Sequence, residues 1–138
     1  MEEKEIRKRR RGTAIVETDQ GILVVADRGS RRFLLPGGGT KRNEPRIEAA
    51  IRELREETGL IANSAEYLFN YEGQIHTSKG GHSFRDYHKV FRIQAHREAR
   101  PRREIVAVDY YKAGAEINPK LSQITQAIIE KYLALKEK

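Results

Sequence analysis

The 138-residue chain contains no cysteine, so neither a disulfide framework nor a cysteine-based zinc site is available to it, and its composition suits a reducing compartment. No apolar run approaches the length of a membrane span. The opening residues, MEEKEIRKRR, carry charge where a secretory signal would carry its apolar stretch. These absences lead to the expectation of a soluble, cytoplasmic protein with no membrane partner. Proline is sparse, with none between Pro45 and Pro101, and no internal repeat, linker or low-complexity segment divides the chain. One domain spanning residues 1–138 is therefore expected, long enough to bury a core without staples.

What is abundant is charge. A formal net charge of +7 and a pI near 9.8 favour an anionic partner, phosphates among them, although the same Lys and Arg residues can simply solvate a charge-rich surface. Residues 1–11 concentrate Lys4, Arg7, Lys8, Arg9, Arg10 and Arg11. With no aromatic residue interleaved to stack on a base, this segment reads as a solvated basic arm leading into the first strand, and nucleic acid as the less favoured partner.

Acidic residues cluster in one place. Between Pro45, which suits a helix start, and Gly59, which suits a left-handed C-cap followed by apolar Leu60, the spacing predicts a helix. Ile47, Ala50, Ile51 and Leu54 recur at the period of a buried face, and Glu53, Glu56 and Glu57 form a stripe beside that face. The carboxylates then lie at the rim of the core, near the glycines of Pro36-Gly37-Gly38-Gly39. Like charges at this spacing cost an isolated helix roughly 0.2–0.5 kcal/mol per pair, so a cation is the natural remedy. Carboxylate oxygens of this kind suit Mg²⁺, with Mn²⁺ as the alternative. Arg52 can pair with Glu48 or Glu56 at four-residue spacing.

The run from Gly38 to Leu60, GGTKRNEPRIEAAIRELREETGL, has Gly38, Glu44, Arg52-Glu53-Leu54, Glu56-Glu57 and Gly59-Leu60 at the spacing of the Nudix box, and so resembles the Nudix hydrolase family. The resemblance implies an α/β/α sandwich with a mixed β-sheet between helices. It also implies Mg²⁺-dependent cleavage of a phosphoanhydride bond in a nucleoside diphosphate linked to another group. On it, Glu53, Glu56 and Glu57 are metal ligands, helped by a backbone carbonyl near Gly37 and Gly38, and Arg52 orients the acids. The proton acceptor falls among Glu53, Glu56 and Glu104, with Glu98 a weaker rival to Glu104. One departure is Asn43-Glu44-Pro45 where the family commonly has Gly-Glu-Ser/Thr, which leaves the role of Glu44 in catalysis open. Arg28, Arg32 and Lys41, with Arg31 and Arg42, are the candidate substrate-phosphate contacts.

The remaining chain reads as strands over Thr13–Thr18 and Ile22–Ala26 forming a hairpin, then Phe33–Leu35, Glu66–Tyr71, Tyr87–Ile93 and Ile105–Tyr111. A flexible polar loop covers His76–Ser83, and a closing helix starts near Asn118-Pro119 with Leu121, Ile124, Ile128, Tyr132 and Leu135 on one face. His76, His82, His88 and His96 show no metal spacing. Markers that resemble those of ADP-ribose, dinucleoside polyphosphate and NADH hydrolases are missing or misplaced. A house-cleaning enzyme acting on nucleoside triphosphates, oxidised ones included, is thus the favoured expectation. An RNA 5′ pyrophosphohydrolase, a dinucleoside polyphosphate or ADP-ribose hydrolase, and a non-catalytic nucleotide-sensing module stay open as alternatives. The oligomeric state, monomer or homodimer, is not legible.

Overall fold

Residues 6–15 form one strand whose first half is exposed and whose second half is buried, and the buried half lies in the core. The computed structural model describes residues 5–137, so the first four residues of the basic segment lie outside it. In chain order the elements are β1 (Ile6–Ile15), β2 (Glu17–Thr18), β3 (Gly21–Asp27), β4 (Gly37–Gly39), α1 (Arg46–Thr58), β5 (Ile61–Glu72), β6 (His76–Thr77), β7 (Ser83–His96), β8 (Ile105–Tyr111) and α2 (Gln123–Lys136).

The larger sheet has the order β4-β1-β7-β5, with β6 also on β7, and a smaller one has the order β2-β3-β8. Strands β1 and β7 run parallel while the other pairs are antiparallel, so the large sheet is mixed. From the end of β1 into the next residue, Ala14 and Val16 pack on one side and Ile15 on the other. Ala14, Val16, Phe91 and Ile93 pack with Ala50 and Leu54 of α1. Ile15, Phe69 and Val90 pack instead with Ile128, Ile129 and Tyr132 of α2. Helix, sheet and helix thus form the expected sandwich.

Several expectations need correction. Residues 6–11 are no solvated arm; they are the first half of β1, in register with β7 from Ile6 opposite Ser83 to Arg11 opposite His88. Consecutive cations are tolerated in this strand because Ile6 to Arg10 are exposed. The hairpin is real but short: Glu17 and Thr18 pair with β3, while Thr13–Ile15 belong to the other sheet, and the chain changes sheets at Val16. Phe33–Leu35 makes only isolated bridges, Leu34 to Val25 and Phe33 to Leu121. The glycines expected to end that strand form β4 instead, paired antiparallel to β1. The polar loop is partly ordered, since His76 and Thr77 pair with Phe84 and Ser83.

Helix α1 begins after Pro45 and ends at Gly59 in the left-handed conformation (φ 80°), as its sequence predicts. Helix α2 starts later than expected, at Ser122, whose side chain accepts a hydrogen bond from the Thr125 amide. Its buried positions include Ile128, Ile129 and Tyr132, whereas Leu135 is 43% exposed. Leu54→Ala should therefore destabilise the protein by about 2–5 kcal/mol. Leu135→Ala should stay within about 0.5 kcal/mol, and urea denaturation of the two variants checks the contrast.

Candidate active site

The turn into α1 is built by local chemistry. Asn43 takes the left-handed conformation (φ 61°), and the Glu44 amide bonds to the Lys41 carbonyl at 3.0 Å. This brings the Glu44 carboxylate back over the helix, where it accepts from Arg52 Nε at 2.8 Å and Nη2 at 2.9 Å. The fork places the rest of the guanidinium: Nη1 donates to Glu53 at 2.7 Å and to Glu56 at 3.2 Å, and Nη2 to the Gly39 carbonyl at 3.1 Å. Hydrogen bonding to Arg52 holds the Glu44 carboxyl down at about 2, and the Arg52 guanidinium is raised in turn, by Glu44 first. Glu44 thus positions Arg52.

The glycines of β4 supply the bed beneath the acids. A Cβ at Gly38 would stand 2.6 Å from the carboxylate carbon of Glu53, so only glycine leaves room for that group. Next to it, the Gly37 amide donates to Glu57 Oε1 at 2.9 Å. Glu57 is only 7% exposed. Burial pushes its carboxyl up to about 8, reinforced by the charges of Glu53 and Glu104 and opposed by the Gly37 amide and Arg11.

Glu104 reaches this point because the segment before β8 is pinned to the end of α1. The Arg100 and Arg102 amides both donate to α1 carbonyls at 3.0 Å, those of Thr58 and Glu57. Glu53, Glu57 and Glu104 each offer a carboxylate oxygen, all within 4.8 Å of one another. Hard oxygen donors in this number, one of them nearly buried, fit a divalent cation such as Mg²⁺ or Mn²⁺.

Among the expected metal ligands, Glu56 is not brought into this group. Its carboxylate is held by Arg52, which also bonds Glu53, and stands 3.8 Å from Arg103. Glu98 pairs with Arg100 at the surface. The expected phosphate contacts also lie elsewhere: Arg28, Arg32 and Lys41 do not line the cleft, and Arg32 turns toward the Leu121 carbonyl at 3.5 Å.

That cleft, about 400 Å³, opens between the acids and the α2 side of the large sheet. Its cations are Arg9 and Arg11 of β1, which sequence reasoning had assigned to a solvated arm. Arg9 is bound to Asp86 by two bonds, at 2.6 and 3.1 Å. Burial alone would raise Asp86, but the bond from Arg9 and the charges of Arg11 and Arg9 prevail and lower it. Among the described residues the Arg11 guanidinium has no ion pair. His88, beside it, shares a 2.8 Å hydrogen bond with the Thr13 hydroxyl, and burial, then the charge of Arg11, push it down to about 4. It is a neutral imidazole at physiological pH. The signal that could have found Arg9 and Arg11 was the period of two that sets them in line with Thr13, had the first strand been extended backward.

The model of the NUDIX domain family matches residues 7–130. The chain belongs to the Nudix family. A nudix hydrolase family member from Chromobacterium violaceum is 36% identical, with a TM-score of 0.74, over 94% of this chain and 79% of that one. The MutT NUDIX hydrolase of Burkholderia pseudomallei is 23% identical with a TM-score of 0.72, over 90% and 97%. A UDP-X diphosphatase is 20% identical with a TM-score of 0.76, over 98% and 66%. No curated protein matches. As a Nudix hydrolase the protein acts on acid anhydrides in phosphorus-containing compounds.

In the cation-free Nudix hydrolase, Glu57 carries a titration with a defined sign. Its carboxyl lies above the ordinary 4.5, at about 8, so between these values the native state holds a proton that the unfolded chain releases. That contribution to stability is full below 4.5 and is lost as the pH rises through about 8. Urea denaturation without divalent cations should show wild-type stability falling relative to Glu57→Gln over this range. Added Mg²⁺ should stabilise the wild type more at pH 8 than at pH 6, because it must displace the proton.

Proposed function

We propose that this Nudix hydrolase cleaves nucleoside triphosphates, oxidised ones included, to a nucleoside monophosphate and pyrophosphate. The observation that supports metal-assisted cleavage of a phosphoanhydride is the convergence of Glu53, Glu57 and Glu104 in a cleft where five carboxylates meet two guanidiniums. An anionic substrate can enter so acidic a cleft only with cations beside it, and the same cleft is also lined by Leu34, Leu35, Ile124 and Ile128, which suit a flat base.

Bound Mg²⁺ at these acids supplies Lewis acidity and a water of lowered pKa. Glu53, Glu57 and Glu104 hold and orient the site, with Glu53 aimed by Arg52 and Arg52 by Glu44. Among the described residues the Glu104 carboxylate has no hydrogen bond or ion pair, so one of its oxygens would be available to hold the cation and the other to accept the proton of the attacking water. Arg11 is free to meet a phosphoryl oxygen as charge develops there. The reading places Glu56 as a support for Arg52 rather than as the proton acceptor.

Likeness to neighbours does not choose the substrate, since the names MutT and UDP-X diphosphatase point to different compounds at similar likeness. The triphosphate reading rests on the missing markers of the other subclasses. A second reading, an RNA 5′ pyrophosphohydrolase, draws support from Arg9 and Arg11, because they join the basic strand to the cleft. A non-catalytic sensor would have no need of the acid trio.

The test is a panel of nucleoside triphosphates, UDP-sugars, ADP-ribose, dinucleoside polyphosphates and triphosphorylated RNA with Mg²⁺, with products identified by mass. Nucleoside monophosphate with pyrophosphate is expected, and turnover of triphosphorylated RNA alone would replace the reading with its rival. Arg52→Ala should lower kcat/KM about 10–100-fold, the usual cost of losing a group that orients a metal ligand. Glu104→Gln should lower kcat about 10²–10⁴-fold, as loss of a proton acceptor does.

A further inference from the structure

The basic strand has a second side. Alternation along β1 turns Arg9 and Arg11 to the cleft and Lys8 and Arg10 to the face that carries α1. Helix α1 covers that face from Gly12 to Ala14 on β1 and around Phe91 and Ile93 on β7. Beyond it, the register sets Lys8 beside Arg85 and Arg10 beside Tyr87 on β7, with Lys89 two residues on. Across β7, Tyr67 of β5 stands opposite Phe91 on the same face and is 49% exposed. Lys8 Nζ lies 5.4 Å over the Tyr87 ring and Lys89 Nζ 5.1 Å over the Tyr67 ring. The acid among them, Glu72, stands 3.9 Å from Arg85.

Four cations interleaved with two tyrosines on an open sheet match the chemistry of a single-stranded nucleic acid, whose phosphates need cations and whose bases need rings. The segment of residues 1–11 lacks aromatic residues of its own, but the sheet brings them to it from β5 and β7. We propose that this face, formed by Lys8, Arg10, Arg85, Lys89, Tyr67 and Tyr87, binds single-stranded RNA or DNA. Each lysine covers a ring face that a base can take over, and the displaced ammonium then turns to a phosphate. Such binding stands apart from hydrolysis in the cleft and does not depend on which nucleotide is cleaved there.

Fluorescence anisotropy of labelled twelve-residue oligo(U) and oligo(dT), titrated with the full chain at several salt concentrations, tests this. Saturable binding is expected, with log K falling against log salt by about 0.7 for each cation engaged. Tyr67→Ala and Tyr87→Ala should each weaken it about five- to a hundredfold, while the Phe variants, which keep the ring, should bind as the wild type does. Lys8→Glu and Arg10→Glu, at exposed positions, read the same face should a tyrosine variant not fold. Arg28→Ala with Arg31→Ala, exposed cations elsewhere, should leave binding unchanged. The proposal is overturned by absence of binding at low salt, by alanine variants that bind as well as the wild type, or by equal losses in the Arg28 and Arg31 control. Binding to phosphatidylserine vesicles without binding to either oligonucleotide would likewise overturn it.

Discussion

The fork of Arg52 between Glu44 and Glu53 is the contact on which the site depends. A helix that sets Glu53, Glu56 and Glu57 along one stripe repels itself, and side chains so charged would otherwise spread into water. One guanidinium draws Glu53 and Glu56 together, anchors them to the turn through Glu44, and ties the helix to the Gly39 carbonyl of β4. It also divides the labour of the acids. Glu56 is engaged by Arg52 and stands near Arg103, while Glu53 and Glu57 meet Glu104 beside Gly37 and Gly38.

The helix, its glycine cap and its acids were legible in the sequence because they are local: a period of 3.6 residues, a start signal and a stop signal lie within a single stretch. The strands from Ile22 to Ala26 and from Ile105 to Tyr111 were legible for the same reason, as short β-branched runs. What was not legible was long-range. Whether Arg7 to Arg11 is an arm or a strand depends on β7, more than 70 positions away, and no pattern within the segment reveals that partner. Likewise, a glycine run following proline looks like a stop, yet Gly37–Gly39 pairs with β1 because that strand is there to receive it.

Roles within the site followed the same division. Glu53 and Glu57 sit where the stripe predicts, while the approach of Glu104 to them depends on tertiary contacts. The bonds from the Arg100 and Arg102 amides to the end of α1 bring Glu104 in. Arg28, Arg32 and Lys41 were attractive because they are near the glycines in sequence. The cleft instead takes its cations from β1, whose alternation gives one strand two basic sides, one toward the carboxylates and one toward open sheet.

The central claim is that Glu53, Glu57 and Glu104, with Glu56 apart, make one divalent-cation site. Mn²⁺ bound to the protein at pH 8 can be counted by electron paramagnetic resonance for the wild type and for the four single Glu→Gln variants. The account predicts that Glu53→Gln, Glu57→Gln and Glu104→Gln each weaken the tightest site and that Glu56→Gln leaves it largely intact. Loss of that site in Glu56→Gln together with its survival in Glu104→Gln would contradict the account.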